Sequence, residues 1–221
     1  LNNEKYNLYF KYLLTLFLIL PIILLLISQP DIGQSILVLV VWLALVFVSG
    51  INLYVFFGLF GIFVSILSYL IFFVDKFNYI KIRISSFFNS SSNNNFQSEK
   101  ASEAIIDGGF FGKGIGEGTL NSKIPEAHTD YIVSVISEEF GIIIILLVML
   151  SFIFFAYKIF KKIRVINNSV FKMILIGLIS LLMTQAFIHV GVNLRVLPTT
   201  GMTLPYLSYG GSSIISISII S

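Results

Sequence analysis

Six consecutive residues hold most of the chemistry this sequence offers: Pro125-Glu126-Ala127-His128-Thr129-Asp130. They sit between a glycine-rich run, Gly108-Gly109-Phe110-Phe111-Gly112-Lys113-Gly114-Ile115-Gly116-Glu117-Gly118, and an apolar run that opens with Tyr131-Ile132-Val133. Asp130 therefore stands at a border between water and hydrocarbon. Desolvation there raises a carboxylate's basicity, while the hydrated side still admits a polar substrate. A plainer role for Asp130 is to cap the helix that follows, and capping and catalysis can coexist. His128 reads as an orienting or interfacial residue rather than a metal ligand: only carboxylates accompany it, and a zinc site needs about four ligands.

The elements that position this stretch are membrane-spanning. The chain has 221 residues, of which 57% are hydrophobic and only 11% charged, and its mean hydropathy is +0.95. A soluble core of that size would need a charged shell; here the apolar stretches approach spanning length with few charges inside them. The expected fold is therefore all-α and polytopic. Cysteine is absent, which excludes disulfides and thiol-ligated metals. The net charge of +3 comes from a few loops and gives no reason to expect nucleic acid as a partner.

Taken in order, residues 12–27 form a first span, broken by Ser28-Gln29-Pro30-Asp31-Ile32-Gly33-Gln34, because Pro removes a donor and Gly relaxes the backbone. Spans over 35–48 and 53–74 follow as a hairpin around Ser49-Gly50-Ile51-Asn52. The fourth span is read over 131–157, with Glu138 and Glu139 inside it, the fifth over about 170–192, and a sixth from Leu204 onward. This divides the chain into three spans (1–74), a large extracytoplasmic loop with the Asp130 motif (75–130), and three further spans (131–221). Within the loop, 89–95 is low-complexity, and 97–106 reads as a short interfacial helix. Gln185 and His189, four apart on the fifth span, are expected to join helices. Of Glu138 and Glu139, one is expected to be a buried, hydrogen-bonded group; Asp31 is a helix cap or a ligand contact. A chain that starts at Leu1 and ends at Ser221 inside an apolar segment is expected to be cut at both ends.

Lys158, Lys161, Lys162, Arg164 and Lys172 cluster without any acidic residue, which makes that turn cytoplasmic. Counting spans from it puts 75–129 and 195–205 outside. The polar motifs then gather at one membrane face.

Gln29-Pro30-Asp31-Ile32-Gly33, Gly109-Phe110-Phe111-Gly112-Lys113-Gly114, Pro125-Glu126-Ala127-His128-Thr129-Asp130, Glu138-Glu139-Phe140-Gly141, Leu197-Pro198-Thr199-Thr200-Gly201 and Leu207-Ser208-Tyr209-Gly210-Gly211-Ser212-Ser213 resemble, in the same order, the signature blocks of the SEDS family. Ala127 and the glycine run look more like its division branch than its elongation branch; Thr200 departs from the Lys usual in the division branch. The resemblance implies a ten-helix glycosyltransferase of the bacterial inner membrane. It would polymerise lipid II, the undecaprenyl-pyrophosphate-linked disaccharide pentapeptide, at the division septum beside a cognate class B penicillin-binding protein and other division proteins. This chain would supply helices five to ten. By the same resemblance Asp130 is similar to the family's essential aspartate.

Such a transfer needs a base for the attacking sugar hydroxyl and cations for the leaving pyrophosphate. Asp130 fits the base. Arg83, Lys81, Lys113 and Arg195 are the outer-face cations, with Arg83 first because it falls where the family carries an arginine and a guanidinium grips phosphate bidentately. Arg195 has the alternative of snorkelling to the surface. Glu126, His128 and Ser208 complete the expected substrate contacts, and amides of residues 108–118 are expected to approach phosphate oxygens. No resident metal site is expected; a divalent cation, Mg²⁺ or Mn²⁺, held by Asp130 or Glu126 with the pyrophosphate is the one cofactor left open. Two rival classes remain: a lipid II flippase without covalent chemistry, supported by the breaks at Pro30 and Pro205, and a scaffold for division enzymes.

Overall fold

The computed structural model describes residues 2–88, 96–119, 124, 126–211 and 218, and the side chains of these from Phe10 onward. The low-complexity tract 89–95, Pro125 and half of the expected sixth span, 212–217 and 219–221, lie outside the described residues. Among them all regular structure is helical: α1 (Asn2–Ser28), α2 (Ile32–Val48), α3 (Leu53–Phe73), a 3₁₀ turn (Asp75–Phe77), α4 (Asn78–Phe88), α5 (Phe96–Gly108), α6 (Ile132–Phe140), α7 (Ile142–Val165) and α8 (Ser169–Asn193). Phe10–Ser28, α3, α7 and α8 are long and apolar enough to cross a membrane, and α2 is a shorter apolar helix. Large apolar side chains point outward along them, Phe17 at 73% exposure and Phe73 at 74% among them. Such surface suits hydrocarbon rather than water. The protein is a polytopic, all-α membrane protein.

The chain forms two compact units, residues 1–80 and 81–221. In the first, α1 to α3 enclose Tyr12, Ile23, Trp42 and Phe63. Lipid offers little hydrophobic drive for helices to associate, so polar bonds between them matter. Ser49 Oγ donates to Tyr12 Oη at 2.8 Å, and Tyr79 Oη donates to the Ile27 carbonyl at 2.6 Å. Asp31 is the N-cap of α2, its carboxylate accepting from Gln34 N at 3.0 Å, so the capping reading holds.

In the second unit α8 is the central helix: 44% of its spanning window is buried, against 17% for α7. The expected continuous span over 131–157 is two helices. Gly141, at φ +84°, ends α6 and starts α7, so Glu138 and Glu139 lie on α6 and outside the apolar helix. A close joint causes the break. A Cβ on Gly108 would lie 2.1 Å from the Ser137 carbonyl oxygen, one on Gly112 2.2 Å from that of Glu139, and one on Gly141 2.1 Å from that of Phe110. The backbones of α5, the glycine run and the end of α6 are thus in contact, as only glycine permits. Lys113 N donates to Glu138 O at 2.9 Å, Gly114 N to Glu139 O at 3.1 Å and Ile142 N to Gly109 O at 3.0 Å. The buried Glu138 carboxylate accepts from Thr119 N at 2.8 Å.

Gly141→Ala should therefore lower the melting temperature of the detergent-purified protein by roughly 5–10 °C, from about 2–3 kcal/mol of strain. Gly58→Ala, where an added Cβ meets nothing within 4 Å, should leave it unchanged or slightly higher.

Candidate functional site

Asp130 enters the site from a tight turn. The Glu126 carbonyl accepts from Thr129 N at 3.1 Å, Asp130 N at 3.1 Å and Thr129 Oγ1 at 3.0 Å, and Glu126 takes a left-handed conformation, φ +59°, to close it. The carbonyls of the last three residues, 128–130, are each bound from the C-terminal part of the chain. Tyr209 N donates to His128 O at 2.9 Å, Ser208 Oγ to Thr129 O at 2.7 Å, and Asn193 Nδ2 to Asp130 O at 3.1 Å. Ser208 Oγ also accepts from Leu204 N at 2.8 Å. Tyr131, which makes no side-chain capping bond, is the N-cap of α6; the capping alternative for Asp130 is not what the structure has.

The carboxylate of Asp130 faces a recess of about 170 Å³ lined by Arg83, Gln97, Glu126, Tyr131, Val192 and residues 199–202. Arg83 reaches it from α4, with Nη1 donating to Thr199 O at 3.2 Å. Gly201 borders the acid, a Cβ there lying 3.7 Å from Asp130 Oδ2, an ordinary contact; its φ of +70° is what favours glycine. Burial pushes the Asp130 carboxyl up from 3.8 to about 6, helped by the charge of Glu126 and by a hydrogen bond with it. Each favours the neutral form. Burial and the same two carboxylates push Tyr131 up to about 12, with Arg83 acting the other way.

Of the seven residues expected in the site, Asp130, Glu126 and Arg83 come together. His128, exposed, lines a neighbouring recess of about 460 Å³ with Ile132, Leu207, Ser208 and Tyr209. Ser208 borders that recess with its hydroxyl engaged by main chain. Lys113 pairs with Asp107, and Arg195 with Glu99 at 3.4 Å; neither lines the Asp130 recess. Within the glycine run expected to offer amides to phosphate, those of residues 109, 112, 113, 114 and 117 donate to carbonyls of the chain, Lys113 and Gly114 to the end of α6 and the other three within local turns. Gln185 and His189 tie α8 to the following segment, Nε2 to Thr203 O at 2.9 Å and Nδ1 to Met202 O at 2.6 Å. Gln97 and Asn193 were missed, since an isolated amide carries no spacing signal. Among the described residues no three His, Asp or Glu side chains gather as a metal site; the Asp130–Glu126 pair matches the one or two carboxylates Mg²⁺ usually takes beside substrate phosphate.

The family profile of FtsW/RodA/SpoVE cell cycle proteins matches residues 2–221. Relatives named "probable peptidoglycan glycosyltransferase FtsW" include one from Caulobacter vibrioides, 35% identical over 87% of this chain and 48% of its own length. Another, from Buchnera aphidicola subsp. Baizongia pistaciae, is 36% identical over 99% of this chain and 58% of its own. The chain thus spans about half the length of the curated relatives it matches. A solved structure described as "Structural coordination of polymerization and crosslinking by a peptidoglycan synthase complex" is similar over 91% of this chain and 56% of its own, with 25% identity and a TM-score of 0.69.

Glu126 raises Asp130 by like charge, so its removal must lower it. In Glu126→Gln the Asp130 carboxyl should titrate below 6 yet above the ordinary carboxylate value, because burial is the larger cause. Isotope-edited infrared titration of the carboxylate band measures this directly.

Proposed function

The chain belongs to the FtsW/RodA/SpoVE family of cell cycle proteins, and we propose that the protein it forms is a division-type peptidoglycan glycosyltransferase that polymerises lipid II. The observation that carries this reading is one carboxylate, Asp130, held half-buried with an elevated pKa in a recess shared with Glu126 and Arg83. A base whose pKa lies near the working pH combines the right protonation state with useful driving force. Burial and a second carboxylate bring Asp130 toward that range, as pairs of environment-tuned acids do in other sugar chemistry.

In the proposed step Asp130 takes the proton of the acceptor sugar hydroxyl as its oxygen bonds to the anomeric carbon of the donor. The bond from that carbon to the pyrophosphate oxygen breaks, and lipid pyrophosphate leaves with the electron pair. The proton passes from Asp130 to water. Arg83 is the cation set beside the base, suited by its planar fork to the pyrophosphate. The recess is smaller than the roughly 300–1,000 Å³ of drug-sized ligand sites, which suits the reacting edge of a sugar rather than the whole substrate.

Orientation in the membrane follows from the basic turn 158–164, which the positive-inside rule makes cytoplasmic; loop 75–130 and Asp130 then face outward, where lipid II sugars are used. A class B penicillin-binding protein is the proposed partner, by analogy with the similar complex that joins polymerisation to crosslinking, and the division septum is the proposed location.

Asp130→Asn keeps size and most hydrogen bonding and removes the basicity. Polymerisation of lipid II by the reconstituted full-length protein should fall at least about a hundredfold, the scale of general-base loss, with membrane insertion unchanged. Arg83→Ala should impair lipid II use more than Lys113→Ala, since Lys113 lies outside the recess against Asp107, and Arg83→Lys should restore only part. Near-normal glycan synthesis by a well-folded Asp130→Asn protein would sink the reading.

The orientation has its own test. In a chain without native cysteine, Ser91→Cys should react with an impermeant maleimide in intact spheroplasts, and Asn167→Cys only after permeabilisation. The reverse pattern would remove the outward-facing site.

A further inference from the structure

Asn193, the last residue of α8, is wholly buried. Its carboxamide uses all four of its hydrogen-bonding positions. Nδ2 donates to Asp130 O at 3.1 Å and to His189 O at 2.9 Å; Oδ1 accepts from Ser134 Oγ at 2.8 Å and Ser134 N at 3.3 Å. An asparagine has two donors and two acceptor lone pairs, so the group is saturated. It also has one orientation only. Turned by 180°, its oxygen would face two carbonyls and its NH₂ would face a backbone N–H, leaving buried groups unpaired at a cost of about 1–3 kcal/mol each.

Three elements thereby meet at one side chain: the end of α8 through His189, the first turn of α6 through Ser134, and the main chain of Asp130. The carboxylate itself carries none of this load. Among the described residues its hydrogen-bonding neighbour is Glu126, so its place in the recess is set through its own backbone. The charged and titratable groups facing it are Glu126 and Tyr131 from its own segment and Arg83 from α4. α5 contributes Gln97, α8 contributes Val192, and residues 199–202 are uncharged.

We infer that Asn193 is a positioning residue for Asp130: its carboxamide, held in one orientation by Ser134 and His189, fixes how deeply the Asp130 carboxylate sits in the recess. It acts on the reaction through Asp130 and does not touch substrate. This rests on the reading of Asp130 as the base. Loss of the carboxamide frees the Asp130 carbonyl and admits water beside the carboxylate. Both the geometry of proton transfer and the desolvation that raises its basicity should then suffer.

The test compares wild-type, Asn193→Ala and Ser134→Ala full-length proteins in lipid II polymerisation, reading kcat, KM and the acid limb of the pH profile. Asn193→Ala should lower kcat by roughly tenfold to a hundredfold, the effect of about 1 Å of misplacement, with KM within about twofold because substrate contacts remain. Its acid limb should move to lower pH. Ser134→Ala, which removes the shorter of the two bonds to Asn193 Oδ1 and leaves that from Ser134 N, should move the limb the same way by less. A merely structural role would reduce the amount of folded protein and leave kcat per folded molecule and the limb where they were; that result overturns the inference. If Asn193→Ala is not recovered folded, Ser134→Ala decides, and an unmoved limb overturns it. Absence of polymerisation by the wild-type protein overturns the reading of Asp130 instead, and the positioning role with it.

Discussion

A carboxylate withdrawn from water and set beside a second carboxylate has every electrostatic reason to move away, and the arrangement around Asp130 depends on preventing that. Three consecutive carbonyls do so. His128, Thr129 and Asp130 each accept a hydrogen bond from a different group of the region 193–209, and the turn behind them is closed on the Glu126 carbonyl. Since a neutral hydrogen bond contributes about 1 kcal/mol net, no single one of them would hold the segment against repulsion and the pull of solvent. A run of three, two of them from side chains that are themselves buried and multiply bonded, makes the segment part of α8 and its sequel.

On the other side of the site close backbone contact adds to the side-chain bonds of Glu138 and Glu99. α5, which carries Gln97 to the recess, touches α6 backbone to backbone at Gly108, and the glycine run continues that contact to Gly141. Glycine here does structural work that in a soluble protein would suggest a phosphate loop. Two of the amides that such a loop would offer, those of Lys113 and Gly114, are used by the Glu138 and Glu139 carbonyls. The energetic logic is that of membrane helices, where close approach and satisfied polar groups replace a hydrophobic drive.

Much of this could be read from the sequence. The helices α2, α3, α5 and α8 fall within a few residues of where the sequence puts them, and α1 ends where the Pro30 signal puts its end but begins ten residues before the expected span, at Asn2, because its polar first turns are helical too. The break of α6 from α7 was not legible, because Ser137-Glu138-Glu139 reads as a polar interruption inside one span, and the approach of Phe110 that demands a glycine at 141 is a tertiary contact. α4 was missed for a related reason: Ile80-Lys81-Ile82-Arg83-Ile84 alternates like a strand, yet no strand among the described residues is there to pair with it, and a helix satisfies its own backbone. The convergence of Asp130, Glu126 and Arg83 was expected. Lys113 and Arg195 went to the same list on charge alone, and charge does not say that Asp107 and Glu99 lie nearer to them.

The protein thus binds the main chain of its acidic residue and leaves the carboxyl oxygens to Glu126 and whatever enters the recess. Had the same donors been aimed at the carboxylate, each N–H would have stabilised its charged form and driven the pKa below the ordinary value, as multiple amide bonds to a carboxylate do. The result would be a firmly held but weakly basic anion. Directing them one atom group away, to the carbonyls of residues 128–130, gives the same fixation without that cost in basicity. Burial and Glu126 are then free to raise the carboxyl to about 6, and rigidity and basicity, which usually oppose each other at a carboxylate, are obtained together.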